Sequence, residues 1–461
     1  MKISIAPVFC AIFLVGILIL VAQPVFQQPE ATNAGVLLVV VVVVFVFALA
    51  LSPAIRRTRL AWWLLFLFLI RLGIAVTYHQ WVGWRGGNLF VSGVSGYDAF
   101  RYDYSAAQVA NWGWPDASIS VDQFGIVAFY ATIYRVFGHN PLFAVLFNTL
   151  LGGLTSLLVF HLARLCTSLR VATWSALLTM IIPDSVLYGG LLMKEMLVMF
   201  LYYSILLVWF RFKFHRRYSG LILLAVLLYG MMETRGILFV VLVATFGSIM
   251  LIEWRKTLRR PAAWIIMGAA IAIIASIGVS NYSRGFNMLD VSMWQERSSE
   301  LKENTVAQIE KENPNAAHSI GLRTAVVLDS PLTYLFVPFR MLVFFLNPPF
   351  WRWGIFANFV PFNELNALLS WLFFPAMVWG CWRTMRRPQG YYLWIPFLWT
   401  MLIVSLAPFV DPRYKISLMP LFVLFACKGF EEFRKWKSLY WLYGFGVIGA
   451  IIGFYAVRGN L

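Results

Sequence analysis

Two aspartates, Asp98 and Asp103, stand in the stretch Tyr97–Pro115 between blocks of apolar sequence. Acids are scarce in this chain, with 20 Asp and Glu among 461 residues, and a carboxylate beside a bilayer carries a solvation cost that calls for a role. Others sit at the ends of apolar runs: Asp184, Glu195, Glu233, Glu364 and Asp411, accompanied by the cations Arg101, Lys194, Arg235, Arg340, Arg413 and Lys415. Such a set has three readings. It can be helix caps and interfacial anchors, Asp98 for example capping a helix that starts at Ala99. It can be an ion or proton pathway. Or it can be a cleft in which a carboxylate removes a proton and the cations hold a phosphate.

The elements that must position these groups are membrane helices. The chain is 61% hydrophobic and 12% charged, about half the charge of an ordinary globular domain, roughly 25%. Its net charge of +17 comes in short basic clusters between apolar runs. Nucleic-acid binding would gather that charge on one soluble face, so no nucleic-acid partner is expected. The four cysteines, Cys10, Cys166, Cys381 and Cys427, lie in or beside apolar segments with no metal or disulfide spacing. No cofactor is predicted, and a divalent metal has no ligand pattern in its favour.

Runs of about 20 apolar residues cross a bilayer as helices. On that criterion spans fall at 5–22, 35–52, 61–78, 143–166, 171–189, 196–210, 219–232, 236–254, 262–280, 365–382, 392–410, 416–430 and 439–456. The expected fold is an all-α polytopic membrane protein with about 13 transmembrane helices. The segment 124–137 is too short for a comfortable crossing and reads as an interfacial helix. The segment 332–353, broken by prolines and carrying Arg340, reads as interfacial or re-entrant. With the N-terminus cytoplasmic and the C-terminus extracytoplasmic, 21 Lys and Arg against 3 acids fall on the cytoplasmic side, and 16 against 17 on the other. Nearly the whole positive excess lies on one side, as the positive-inside rule requires. The same parity brings Asp98, Asp103, Glu195, Glu233, Arg235 and Arg413 to the outer face.

A transport pathway should carry charge near the bilayer midplane, in broken helices with internal repeats. No repeat is visible, and Arg71 alone lies well inside a span. Charge at helix ends suits a reaction at the membrane surface between a polar and a lipid-borne participant.

At this point the residues suggest a family. Asp98-Ala-Phe-Arg-Tyr102, then Ala106-Ala107, Trp112-Gly113 and Trp114-Pro115, resembles the first outer loop of GT-C membrane glycosyltransferases, in particular the protein O-mannosyltransferase and lipid A aminoarabinose transferase branch. Tyr134-Arg-Val-Phe-Gly138 with Asn148, Pro183 to Glu195, Thr234-Arg235 and Arg413-Tyr414 through Pro420 follow in the order of that branch. Ala99 stands where the branch has a second acid. The resemblance covers most of 61–430, which would be a GT-C-like catalytic module with outer loops at about 79–142 and 281–364; the two N-terminal transmembrane helices expected in 1–60 depart from the branch, and a C-terminal transmembrane helix is expected in 431–461.

It also implies a chemistry. The donor would be a sugar on a polyprenyl phosphate, and the acceptor a hydroxyl of a glycan, lipid or protein, at the outer face of what would be a bacterial inner membrane. Asp98 would be the base, with Asp103 and Glu195 as further catalytic candidates. Arg101, Lys194, Glu233, Arg235, Arg340, Arg413 and Lys415 would bind substrate, the arginines holding the leaving phosphate in a bidentate fork. The alternatives are an O-antigen polymerase or ligase type of enzyme and a lipid-linked sugar flippase or transporter.

Overall fold

A computed structural model describes residues 30–56, 58–84, 96–112, 124–215, 220–253, 341, 362–387, 389–406, 415–432 and 437–457. Among them are fifteen helices and no strand, so the all-α polytopic expectation is met. Four helices are long and apolar enough to cross a membrane, or five if the bent pair Leu169–Met180 and Pro183–Gly189 counts as one span, and shorter apolar helices accompany them. The expected spans at 5–22 and 262–280 and the re-entrant segment 332–353 lie outside the described residues, apart from position 341.

The chain forms two compact units. One comprises Met1–Gly236, Pro375–Arg383 and Met419–Lys435; the other comprises Ile237–Phe374, Thr384–Leu418 and Trp436–Leu461. In the first, α1 (Glu30–Ala50), α2 (Pro53–Arg56) and α3 (Leu60–Trp84) precede α4 (Gly96–Trp112), α5 (Phe124–Phe137) and α6 (Pro141–Cys166). Then come α7 (Leu169–Met180), α8 (Pro183–Gly189), α9 (Glu195–His215) and α10 (Gly220–Thr234).

Helix α6 is the axis of this unit. It is apolar all round, almost wholly buried, and packs against α1, α3, α5, α7, α8 and α9, as a helix without a polar face must. Its start is written in the sequence. Gly138 takes φ +87°, a left-handed conformation that glycine adopts without steric penalty. The Asn140 side chain then accepts a hydrogen bond from Leu142 N at 3.0 Å, and Pro141 occupies the first turn.

The expected single span 171–189 is not continuous. It breaks at Ile181-Ile182 into α7 and α8, which are bent by 47°. Pro183 has no amide hydrogen and disfavours helical backbone at the residue before it, so the ladder stops there. The carbonyls freed at the break are met by Arg71. Its guanidinium donates to Met180 O at 3.1 Å, to Ser185 O, and to Ser185 Oγ at 2.9 Å, and it lies 3.2 Å from Met196 Sδ. A Cβ on Gly152 would stand 2.2 Å from Arg71 Nη2, so the absence of a side chain at 152 makes room for the guanidinium. Arg71, the charge that lies well inside a predicted span, is therefore an internal brace.

At the opposite end of the unit, Ser168 donates to Glu431, Lys428 pairs with Glu431 and Glu432, and Arg383 pairs with Glu432. Ser52 Oγ meets His161 Nε2 at 3.1 Å. These are ends that the charge count assigns to the basic side, and they meet one another.

In the second unit, tyrosines anchor helices α11 (Gly236–Ile252), α12 (Phe362–Met385), α13 (Tyr391–Leu406) and α15 (Lys437–Val457). Tyr391 and Tyr392 both donate to Glu253 Oε1, Trp399 Nε1 donates to Ser248 Oγ at 2.8 Å, and Tyr443 OH donates to Trp371 O at 2.8 Å. Helix α14 (Lys415–Glu432) completes the described set.

Candidate active site

Helix α4 carries the two aspartates. Ala99, Tyr102, Asp103, Ala106 and Val109 recur at three- and four-residue spacing and are all buried, while Phe100 and Tyr104 stack on each other on the exposed side. This apolar stripe packs on α5. Asp103 thus falls along one edge of a buried face. Asp98, five residues earlier and about 7.5 Å along the axis, lies on the flank of that face and is half-buried. The helix starts at Gly96, so Asp98 sits inside its first turn and not at the capping position before Ala99. A carboxylate there interacts favourably with the positive end of the helix.

The buried carboxylate of Asp103 is held from two directions. Tyr134 OH, on α5, donates to Oδ1 at 2.6 Å. His139 Nε2 lies 3.2 Å from Oδ1 and 3.3 Å from Oδ2, and the imidazole packs edge-on against the Tyr134 ring. Burial first, and then the Asp103 carboxylate, hold the Tyr134 phenol well above its ordinary pKa, so the donor keeps its proton. His79, buried near the end of α3, interacts electrostatically with the same carboxylate. The turn Gly138-His139-Asn140 that starts α6 is what brings the imidazole back onto α4.

A second polar group lies deeper. Glu195 opens α9 and is 1% exposed; Arg235, between α10 and α11, is 7% exposed, and its Nη2 lies 3.3 Å from Glu195 Oε1. The other oxygen, Glu195 Oε2, is buried and has no hydrogen-bond partner among the described residues. The approach to Glu195 is pinned by Asn148 of α6, which donates from Nδ2 to Leu191 O at 2.9 Å and to Tyr130 OH at 2.7 Å. Tyr130 OH in turn donates to Met193 O at 3.1 Å. Burial raises the Tyr130 phenol far above its usual pKa, although the Asn148 hydrogen bond lowers it, and Glu195, Tyr102 and Asp103 add to the rise. Tyr130 therefore interacts electrostatically with both carboxylate groups.

The structure brings Asp98, Asp103, Glu195, Lys194, Glu233 and Arg235 into one unit, with Lys194 and Glu233 both buried and Arg101 half-buried on α4. Lys415 is buried at the start of α14, in the second unit. Arg340 and Arg413 lie outside the described residues. Tyr134, His139, His79, Tyr130 and Asn148 are additions that sequence reasoning did not single out for chemistry. No group of three or more His, Cys, Asp or Glu side chains arranged to hold a metal occurs among the described residues.

Residues 124–279 match the family model of dolichyl-phosphate-mannose-protein mannosyltransferases. The family of that model belongs to the GT-C superfamily. No curated protein matches the chain. Within the matched segment lie Tyr130, Tyr134, His139, Asn148, Lys194, Glu195, Glu233 and Arg235; α4 with its two aspartates precedes it and packs onto its first helix. The family match and the apolar spans support a membrane glycosyltransferase of the GT-C type.

Proposed function

We propose that the protein transfers a sugar from a polyprenyl-phosphate carrier to a hydroxyl acceptor at the extracytoplasmic face of a membrane, with Asp98 as general base. The observation that carries the reading is the placement of α4: the helix bearing Asp98 is docked on the first helix of the segment matching a mannosyltransferase family. As the acceptor oxygen forms its bond to the anomeric carbon, its proton passes to Asp98. The bond from that carbon to the phosphate oxygen breaks, and the phosphate leaves with the electron pair.

Asp98 suits the base because it is half-buried on the flank of α4, where a substrate can reach it. Asp103 has its oxygens engaged by Tyr134 and His139 and serves to position the helix. Glu195 orients Arg235 for the leaving phosphate, with Arg101 and Lys194 as further cations. Arg340, Arg413 and Lys415 enter this reading from the family resemblance alone. The acceptor is a glycan, lipid or protein, and the membrane is a bacterial inner membrane with the chain's N-terminus in the cytoplasm.

The test is conversion of labelled polyprenyl-phosphate mannose by the purified protein in detergent. Wild type breaks the sugar–phosphate bond, and Asp98→Asn abolishes turnover at unchanged thermal stability. Retained turnover in that variant sinks the base assignment. Movement of intact lipid-linked sugar across proteoliposomes, without bond cleavage, would replace the enzyme by a transporter. A cysteine placed at Gln308 should react with an impermeant reagent from outside; reaction from the cytoplasm alone would reverse the topology.

A further inference from the structure

We propose that His139 is a positioning residue that sets the roll of α4, and through it the placement of Asp98; this rests on the reading of Asp98 as the base. The His139 side chain is 43% exposed, whereas that of Asp103 is 9% exposed, so one member of the pair stands at the surface and the other inside. The imidazole addresses both carboxylate oxygens, at 3.2 and 3.3 Å. A single hydrogen bond lets a carboxylate swing about its Cβ–Cγ bond, but Tyr134 on one oxygen and His139 across both fix the carboxylate plane. A side chain anchored on both oxygens resists rotation of its helix about the helix axis.

That constraint has an effect at Asp98. The two aspartates are five residues apart, which on a helix is about 140° of rotation and about 7.5 Å of rise. Rolling α4 about its axis therefore swings Asp98 sideways on the flank of the buried face. The apolar stripe of α4 also packs on α5, and a long contact of 3.5 Å runs from Arg135 Nε to Ala110 O near the far end of the helix. Apolar ridges tolerate a roll that oriented hydrogen bonds resist, and a displacement of about 1 Å at a reacting group can cost about 100-fold in rate.

The backbone is built to deliver the imidazole. Gly138 with its positive φ reverses the chain, and Asn140 ties the next residues to the start of α6. His139 is held between these two fixed points. The ionisable groups around it are Asp103 from α4 and Tyr134 from α5, with His79 from α3 acting on the same carboxylate.

The experiment compares His139→Ala and His139→Asn with wild type in detergent, by hydrogen exchange of the 96–112 amides and by turnover of labelled polyprenyl-phosphate mannose. In His139→Ala the 96–112 amides exchange at least tenfold faster, while amides of the buried α6 are unchanged. Its kcat falls tenfold or more with KM within about twofold. His139→Asn, which keeps a donor near Asp103, restores exchange protection and most of kcat. Wild-type protection of 96–112 in His139→Ala overturns the proposal, and so does a loss carried by KM alone. If wild type itself shows no turnover with this donor, the proposed reaction fails while the exchange comparison still decides the positioning role.

Discussion

Tyr134 donates its phenolic hydrogen to Asp103 across 2.6 Å, between two helices, with both residues buried. Removing the hydroxyl leaves a buried carboxylate with one fewer donor, and an unsatisfied buried polar group costs about 1–3 kcal/mol. Tyr134→Phe should therefore lower the midpoint of thermal unfolding in detergent, and Tyr134→Phe combined with Asp103→Asn should lose less than the two single changes added together. A double-mutant cycle by thermal unfolding measures this coupling; an additive result would mean that the hydrogen bond contributes nothing net.

The same phenol predicts a pH response. Its folded-state pKa is raised by burial and then by Asp103. Its contribution is complete below the unfolded tyrosine value of about 10 and is lost as pH rises past that point toward the folded value. Unfolding midpoints should decline between about pH 10 and 11, and the decline should be shallower in Tyr134→Phe. Tyr130, raised for the same first reason, contributes a decline of the same sign.

Arg235 and Glu195 form a buried pair, and breaking such a pair from one side costs about 3–5 kcal/mol because it strands the remaining charge. Arg235→Met alone should be strongly destabilising, whereas Arg235→Met with Glu195→Gln should recover much of the loss. Thermal unfolding of the three variants checks the order. If the double variant regains stability but not turnover, the cation has a role in catalysis separate from its role in the fold.

Gly152→Ala is expected to destabilise by about 1–3 kcal/mol, the cost of overfilling a packed interior, because the new methyl group would lie 2.2 Å from the Arg71 guanidinium. Unfolding midpoints measure it. Wild-type stability in this variant would mean that Arg71 shifts at little cost, and that the brace across the α7–α8 break is loose.

Much of this fold is legible in the sequence because apolar length and turn chemistry are local signals. The segment 124–137, expected as an interfacial helix, is a helix with those bounds, and Arg235 falls between two helices, as the expected spans 219–232 and 236–254 leave it. The break before Pro183 is also local, but counting apolar length across 171–189 hides it. The candidate site is less legible. Glu195 and Arg235 show themselves as charges beside apolar runs. His139 does not, since Gly-His-Asn-Pro reads as a turn, and its partner Asp103 lies 36 residues away in sequence. Asn148 carries a visible signal, a polar amide inside an apolar span, yet its role as the tie on the Leu191–Met193 backbone depends on tertiary contact.

The Arg71 brace bears on how the protein is made. Ser185 follows Arg71 by 114 residues and Met196 by 125. The ribosome therefore delivers α3 to the bilayer well before its partners exist. An arginine at the centre of an inserting helix is disfavoured by about 2.5–3.5 kcal/mol, and leucine, isoleucine, phenylalanine or valine each return about 0.3–0.6 kcal/mol. The run Trp62 to Ile70, rich in leucine and phenylalanine, supplies that offset within α3 itself. The helix is thus apolar enough to enter lipid with an unmatched cation, and the nascent chain holds this charge in waiting until α8 and α9 arrive to receive it.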